Sequence, residues 1–343
     1  MPVPTKISVF VCIAFLSIAT CFAQSKKIIV SQTGPADFKS IQAAIASLSD
    51  SSATPRTIFI KKGTYNEKIY IEKHNIILEG EDKENTIVTY AIARDEWKCE
   101  HPGDWGVATV NIDGNDVTFK NMTFINSYGF DWKADKVIYC PTDTFSDHSK
   151  KINRFGHQMT VRTMKATRFK AVNCVFRSYA GDTMSPWNVK YGLFYFKDCT
   201  MEGGVDFYCP RGWAYADNCK FIATRGDAAI WHDGSHTEDS KTVLNNCSFE
   251  GYDKFVLGRY HRDAQFYLLN CKFAANMKDT TIYRVATKNV IRWGHRVYFY
   301  NCHKEGGDYK WFSDNIQTAA GSPDPKKIDP YWVFGKRWNP LID

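Results

Sequence analysis

Beyond residue 23 the chain has no apolar stretch long enough to cross a membrane, so no membrane span is expected. None of its 11 cysteines forms a Cys-x-x-Cys pair, which leaves metal binding without its usual spacing. There is no phosphate-binding glycine loop and no Gly-x-Ser-x-Gly elbow, so nucleotide hydrolysis and serine-hydrolase chemistry lack a motif. Basic residues form no runs, and with a secretory leader nucleic acid is not an expected partner. Helical periodicity is scarce. Only Ser40 to Ser49 reads as a helix, with Ile41, Ala44, Ile45 and Leu48 on one face. Helical repeats and alternating βαβ units are thereby disfavoured.

What is present is globular in composition: 343 residues, 44% hydrophobic and 24% charged, enough for one large domain or two ordinary ones. Aromatics reach 15%, more Trp and Tyr than a core alone needs, so some are expected on a surface that meets ring-shaped ligands. The net charge of +7 suits a polyanion, such as an acidic polysaccharide. Lys6, the apolar run Ile7 to Ala19 and the small residue Ala23 describe a cleaved signal peptide over 1–23. The expected product is secreted, periplasmic or at the cell surface. A lipoprotein acylated at Cys21 ranks second, because Thr20 fits that signal poorly. Cleavage would leave an odd number of cysteines, so at least one thiol stays unpaired within the chain.

Most of these cysteines recur in one phrase, Asn or Asp followed by Cys and, two residues on, Phe or Met. It occurs at Asn173-Cys174, Asp198-Cys199, Asn218-Cys219, Asn246-Cys247 and Asn270-Cys271, closes at Asn301-Cys302, and has an earlier copy at Asn121-Met122. The cysteine spacings are 25, 20, 28, 24 and 31, a period typical of stacked supersecondary units. Each period holds short β-branched or aromatic segments, such as Leu193-Phe-Tyr-Phe and Val297-Tyr-Phe-Tyr, bounded by Gly, Asn and Asp. The expected fold is all-β: a right-handed, single-stranded parallel β-helix, one domain over 26–343. Asn then occupies a left-handed turn position and Cys an interior stack. Stacked thiols point the same way, a poor geometry for disulfides, so buried free thiols are expected. Cys99 and Cys140, in a loop-rich region, are the one expected bridge.

The register also aligns acids. Asp182 follows Cys174 by eight and Asp206 follows Cys199 by seven, so both fall on one face of adjacent rungs; Asp227, eight after Cys219, extends the line. Adjacent carboxylates raise each other's pKa, and the line reads either as turn acids, which the offset alone favours, or as an acid/base pair, which a nearby cation would favour. Arg259 and Arg211, each 12 after a repeat cysteine, are placed to reach the line.

Six segments, in order, make the chain similar to the pectin methylesterase (pectinesterase) family. They are Gly63-Thr-Tyr-Asn-Glu67, Val107-Ala-Thr-Val110, Gln158-Met-Thr-Val161, Cys174 through Gly181-Asp182-Thr183, Gly204-Val-Asp206-Phe207 and Leu257-Gly-Arg259. The resemblance implies hydrolysis of galacturonate methyl esters in pectin or methylated oligogalacturonides by a monomer needing no cofactor and no metal. It casts Asp206 as nucleophile, Asp182 as acid then base, Arg259 as the cation holding Asp206 ionised, Gln158 as oxyanion donor and Thr109 as a substrate contact. The chain departs from the family pattern at Gly181, where a second glutamine is expected, and at Tyr260-His261, where Pro-Trp is expected. His261 then sits in a substrate position, and Tyr208, Trp213 or Trp231 is the expected stacking surface.

Other features read more plainly. His232 and His236 flank Gly234 in a loop context, better suited to substrate contact or a turn than to metal. Asn111 to Asp116 lacks the closing Glu of a calcium loop and reads as a tight turn. The stretches Trp97 to Gly106 and Asp131 to Phe155 are expected to wall the cleft, and the C-terminal segment to pack back along the helix. A calcium-dependent lyase on the same scaffold and a non-catalytic pectin-binding protein are the competing functions. Neither accounts for two acids and an arginine retained together.

Overall fold

The computed structural model describes residues 1–2, 27–142, 147–232 and 236–342. Residues 3–26, with the expected cleavage point and Cys21, lie outside the described residues. Short strands separated by single left-handed residues wind into a right-handed parallel β-helix. One sheet stacks ten strands, from Ile28–Val30 to Val297–Tyr300, and a second stacks nine, from Gly63–Asn66 to His303–Lys304. Among the described residues the sole antiparallel pairing joins Lys136–Tyr139 to Ser149–Ile152, outside the coil.

The repeat phrase is the corner between these two sheets. After Leu193–Lys197 in the first sheet the chain turns at Asp198, φ 53°, buries Cys199 and enters Thr200–Gly203 in the second. Asn173, Asn218, Asn246, Asn270 and Asn301 turn in the same way, with φ between 51° and 54°. Asn and Asp tolerate this region because a short polar side chain offsets its steric cost. Their side chains also bond from rung to rung: Asn218 Nδ2 donates to Asp198 Oδ1 (2.7 Å) and Asn301 Nδ2 to Asn270 Oδ1 (2.8 Å).

The following residue points inward. Cys174, Cys199, Cys219, Cys247, Cys271 and Cys302 are all buried and free, and Cys209 is a seventh free thiol. Beside them runs a phenylalanine stack, with Phe221, Phe249 and Phe273 at ring separations of 4.7 and 5.3 Å. Cys99 and Cys140 form a disulfide as expected.

A second apolar layer lies outside the first sheet. Tyr195, Tyr215, Tyr267 and Tyr298 project from its outer face and are covered by Ile316, Ile328, Val333 and Phe334 of the C-terminal segment, which does pack back along the coil. Its helix Pro330–Phe334 starts at Asp329, whose carboxylate caps the Trp332 N–H at 2.7 Å. Many of the surplus aromatics serve this layer. Trp213 is among them, its indole N–H donating to Asp239 at 2.9 Å, so it is not a stacking surface.

The third side of the coil is broken. Four strands, Ile69–Ile71 to Met184–Ser185, form one part and three, Ala228–Trp231 to Tyr283–Arg284, the other. Between them the described residues make isolated pairings: Tyr208 with Met184 on one side and Ile230 on the other, and Arg211 with Trp187. The break is the segment Asp206 to Pro210, where left-handed Asp206 (φ 49°) and Pro210 interrupt the ladder.

Candidate active site

Asp182 and Asp206 occupy equivalent points of successive rungs at this break. The pairings Met184 with Tyr208 and Trp187 with Arg211 set the register, and the Asp182 N–H donates to the Val205 carbonyl at 3.2 Å. Both aspartates are left-handed, with φ 61° and 49°, and only 8% and 7% exposed. They line one cleft of about 510 Å³ together with His157, Arg162, Trp187 and Trp231. A larger hollow of about 640 Å³ lies against the second sheet near Asn270 and Lys304 and contains neither carboxylate.

Arg259 grips Asp206 with two parallel bonds, Nε to Oδ1 at 3.0 Å and Nη2 to Oδ2 at 2.7 Å. Such a fork fixes the carboxylate's orientation as well as its charge. Burial still prevails: it pushes the Asp206 carboxyl up to about 6 against the downward pull of Arg259, with Asp182 adding to the rise. Arg259 thus acts in the expected direction, favouring the ionised carboxylate, but burial is the larger influence. Asp182 is held more loosely. Ser185 Oγ donates to its Oδ2 at 3.4 Å, and His157 Nε2 lies 3.6 Å from its Oδ1.

Cations dominate the remaining lining. Arg94, Arg162, Arg211 and Arg262 face Asp104 and the two aspartates. Arg162 is buried and bonded to Ser185 Oγ (2.8 Å) and Asp104 Oδ2 (3.3 Å), and burial lowers its pKa to about 10. The guanidinium groups of Arg162 and Arg211 lie 4.5 and 4.2 Å from the Trp187 ring.

Trp231 and His261 reach the cleft as expected, their rings 4.5 Å apart, and Arg259 lies 5.3 Å from the Trp231 ring. Three other expected site residues do not reach it. Thr109 is fully buried, its hydroxyl donating to the Tyr90 and Ile125 carbonyls at 3.3 and 3.2 Å. Tyr208 is also fully buried, packed edge-on against Phe196 and Phe221 in the core, so it offers no stacking face. Gln158 is fully buried too, and one of its two amide N–H groups donates to the Arg154 carbonyl at 2.5 Å. Asp227 falls off the line: the Asp206 N–H bonds to Ala228 O, one residue further on, and Asp227 pairs with Arg225 at 3.0 Å.

His232 is buried against the Gly212 carbonyl at 3.0 Å, whereas His236 lines the cleft; Asp233 to Ser235 lie outside the described residues. Among the described residues no three His, Cys, Asp or Glu side chains converge as metal ligands. Of the expected wall segments, Trp97 to Gly106 contributes Asp104. From the second stretch, Cys140 and Lys136 tie to that wall through the disulfide and the Lys136–Glu96 ion pair at 2.6 Å, and none of its described residues lines the cleft.

Residues 27–169 match the pectinesterase family model. A putative pectinesterase of Arabidopsis thaliana is 26% identical over 338 residues, covering 92% of this chain and 82% of that protein. Over these spans the chain is similar to pectinesterases. The coil agrees with solved pectinesterase folds. A pectin methylesterase from Erwinia chrysanthemi superposes with a TM-score of 0.71 at 19% identity, covering 93% of this chain and 99% of that one. A pectin methylesterase crystallised in complex with a hexasaccharide gives 0.71 at 20% identity, with the same coverage of 93% and 99%.

Residues missed by sequence reasoning include Arg94, His157, Arg162, Trp187 and Arg262. Parity held one usable signal. Neighbours in extended chain point to opposite sides, so a buried Gln158 turns His157 outward.

Proposed function

We propose that this protein is a secreted carboxylic ester hydrolase that removes methyl groups from galacturonate units of pectin, releasing methanol and pectate. The observation that carries the reading is the Asp206–Arg259 fork at the floor of a cleft it shares with Asp182. A carboxylate held rigid and partly stripped of water is suited to attack a carbonyl carbon. Attack by Asp206 gives a tetrahedral intermediate, which collapses to an acyl-enzyme as Asp182 gives its proton to departing methanol. Water then attacks the acyl carbon, Asp182 takes up a proton, and Asp206 leaves as carboxylate. The arginine-rich lining suits a polymer whose neighbouring units carry free carboxylates. The hexasaccharide bound by the related pectin methylesterase supports an extended sugar ligand.

The test is methanol release from highly methylated pectin, in chelator, by wild type and Asp206→Asn, with unsaturated uronate followed by absorbance. Methanol from wild type alone is expected. Unsaturated product that needs added calcium would replace the esterase with a lyase.

A further inference from the structure

Attack on the ester carbonyl places negative charge on its oxygen, and a preorganised donor must meet it. Gln158, the side chain expected there, has turned into the wall. What stands at that point of the cleft is His157. Its backbone is fixed by the Arg94 N–H donating to its carbonyl at 2.9 Å, and the adjacent Gln158 N–H donates to Gly181 O at 3.0 Å. That second bond lays residue 157 alongside residue 181. Gly181 makes the arrangement possible: a Cβ there would lie 2.9 Å from His157 Cδ2 and 2.9 Å from Val205 Cγ1. The ring is 44% exposed and lines the same cleft as both aspartates. The 3.6 Å from Nε2 to Asp182 Oδ1 is longer than a hydrogen bond. A ligand oxygen entering beside Asp182 thus meets a donor not committed to the carboxylate.

We propose that His157 is a further catalytic residue, donating a hydrogen bond from Nε2 to the ester carbonyl oxygen as it becomes an oxyanion. The proposal rests on the esterase reading. As the Asp206 oxygen bonds to the carbonyl carbon, the π pair moves onto the carbonyl oxygen, which accepts from His157. The pair returns as the bond to methoxide breaks, and methoxide takes its proton from Asp182. His157 keeps its proton throughout and acts as a donor, not as a relay.

The experiment measures kcat, KM and the pH profile of methanol release for wild type, H157A and H157Q, with D206N as the blank. For H157A, kcat is expected to fall about 10²–10³-fold with KM changed only a few-fold. Glutamine can donate but cannot shuttle protons, so H157Q is expected to recover to within about tenfold of wild type with the pH profile unchanged in shape. A near-normal H157A overturns the proposal. So does an H157Q as poor as H157A with one limb of the profile lost, because the ring would then be moving protons. If wild type releases no more methanol than D206N, the esterase reading fails first, and the proposal with it.

Discussion

The corner between the first two sheets and the break in the third use the same backbone device to opposite ends. At the corner, Asn173, Asp198, Asn218 and Asn246 sit at φ 51–53°, and their side chains lie at or near the surface, bonded to neighbouring rungs. At the break, Asp182 and Asp206 adopt φ 61° and 49°, yet both are buried, and one is clamped by an arginine. Left-handed backbone therefore does not itself make a site. What distinguishes the two regions is continuity. At the corner both adjoining ladders run on without interruption, whereas beside Asp206 the ladder thins to isolated pairings of Tyr208 and Arg211, and a cleft lined by both aspartates lies there.

The comparison is tested most severely at Asp206. Asp206→Asn is compatible with φ 49° and should fold as wild type, while methanol release falls on the order of 10⁴-fold; circular dichroism and turnover measured together check both halves. Arg259→Ala should cost about 10²-fold in kcat/KM, comparable to other losses of electrostatic stabilisation in active sites. It should also move the acidic limb of the pH profile. In the proposed mechanism Asp206 attacks as a carboxylate, so wild-type activity is expected to rise with pH through about 6. Arg259 favours the ionised form, so its loss shifts that limb to higher pH. A limb that stays in place would detach Arg259 from the nucleophile.

The turn positions should behave differently. Asn246→Ala keeps full activity but loses about 1–2 kcal/mol of stability in urea, the steric cost of a Cβ without a compensating polar group in the left-handed region. Asn246→Gly carries the smallest expected effect. It relieves the backbone but deletes the bond to Asn218 Oδ1, so a loss of about 0.5–1 kcal/mol, within the usual worth of one hydrogen bond, separates the two contributions.

Much of the coil was legible because its period is written in residues with narrow roles: Asn or Asp at the corner, Cys inside it and Phe two residues on. The offsets of Asp182 and Asp206 followed from that period alone. The misreadings at Thr109, Gln158 and Tyr208 share a physical cause. A motif specifies side-chain chemistry, but reach depends on which side of the strand a residue faces, and left-handed Asp206 breaks the alternation that would have put Tyr208 beside it. Asp227 failed by one residue, because the loop before it is longer by one than the period allows. His157 was passed over because its neighbour carried the motif. Arg162 and Trp187 belong to no recurring phrase, and they meet through the pairing of Val161–Thr163 with Met184–Ser185 and the bond from the Trp187 N–H to Thr163 Oγ1.

The column of interior thiols bears on how the molecule survives unfolding. Each sulfur donates to carbonyls of the coil, as Cys271 does to Leu269 and Leu244 at 3.4 and 3.5 Å, and all are sealed from solvent. Melting releases them together into a flexible chain in which any two can meet an oxidant and cross-link. Heat inactivation in air should therefore be irreversible, while the same treatment under mild reductant should allow activity to return on cooling. The ladder protects its own chemistry only while it is wound, so the useful lifetime of the protein is set by how seldom the coil opens rather than by its equilibrium stability.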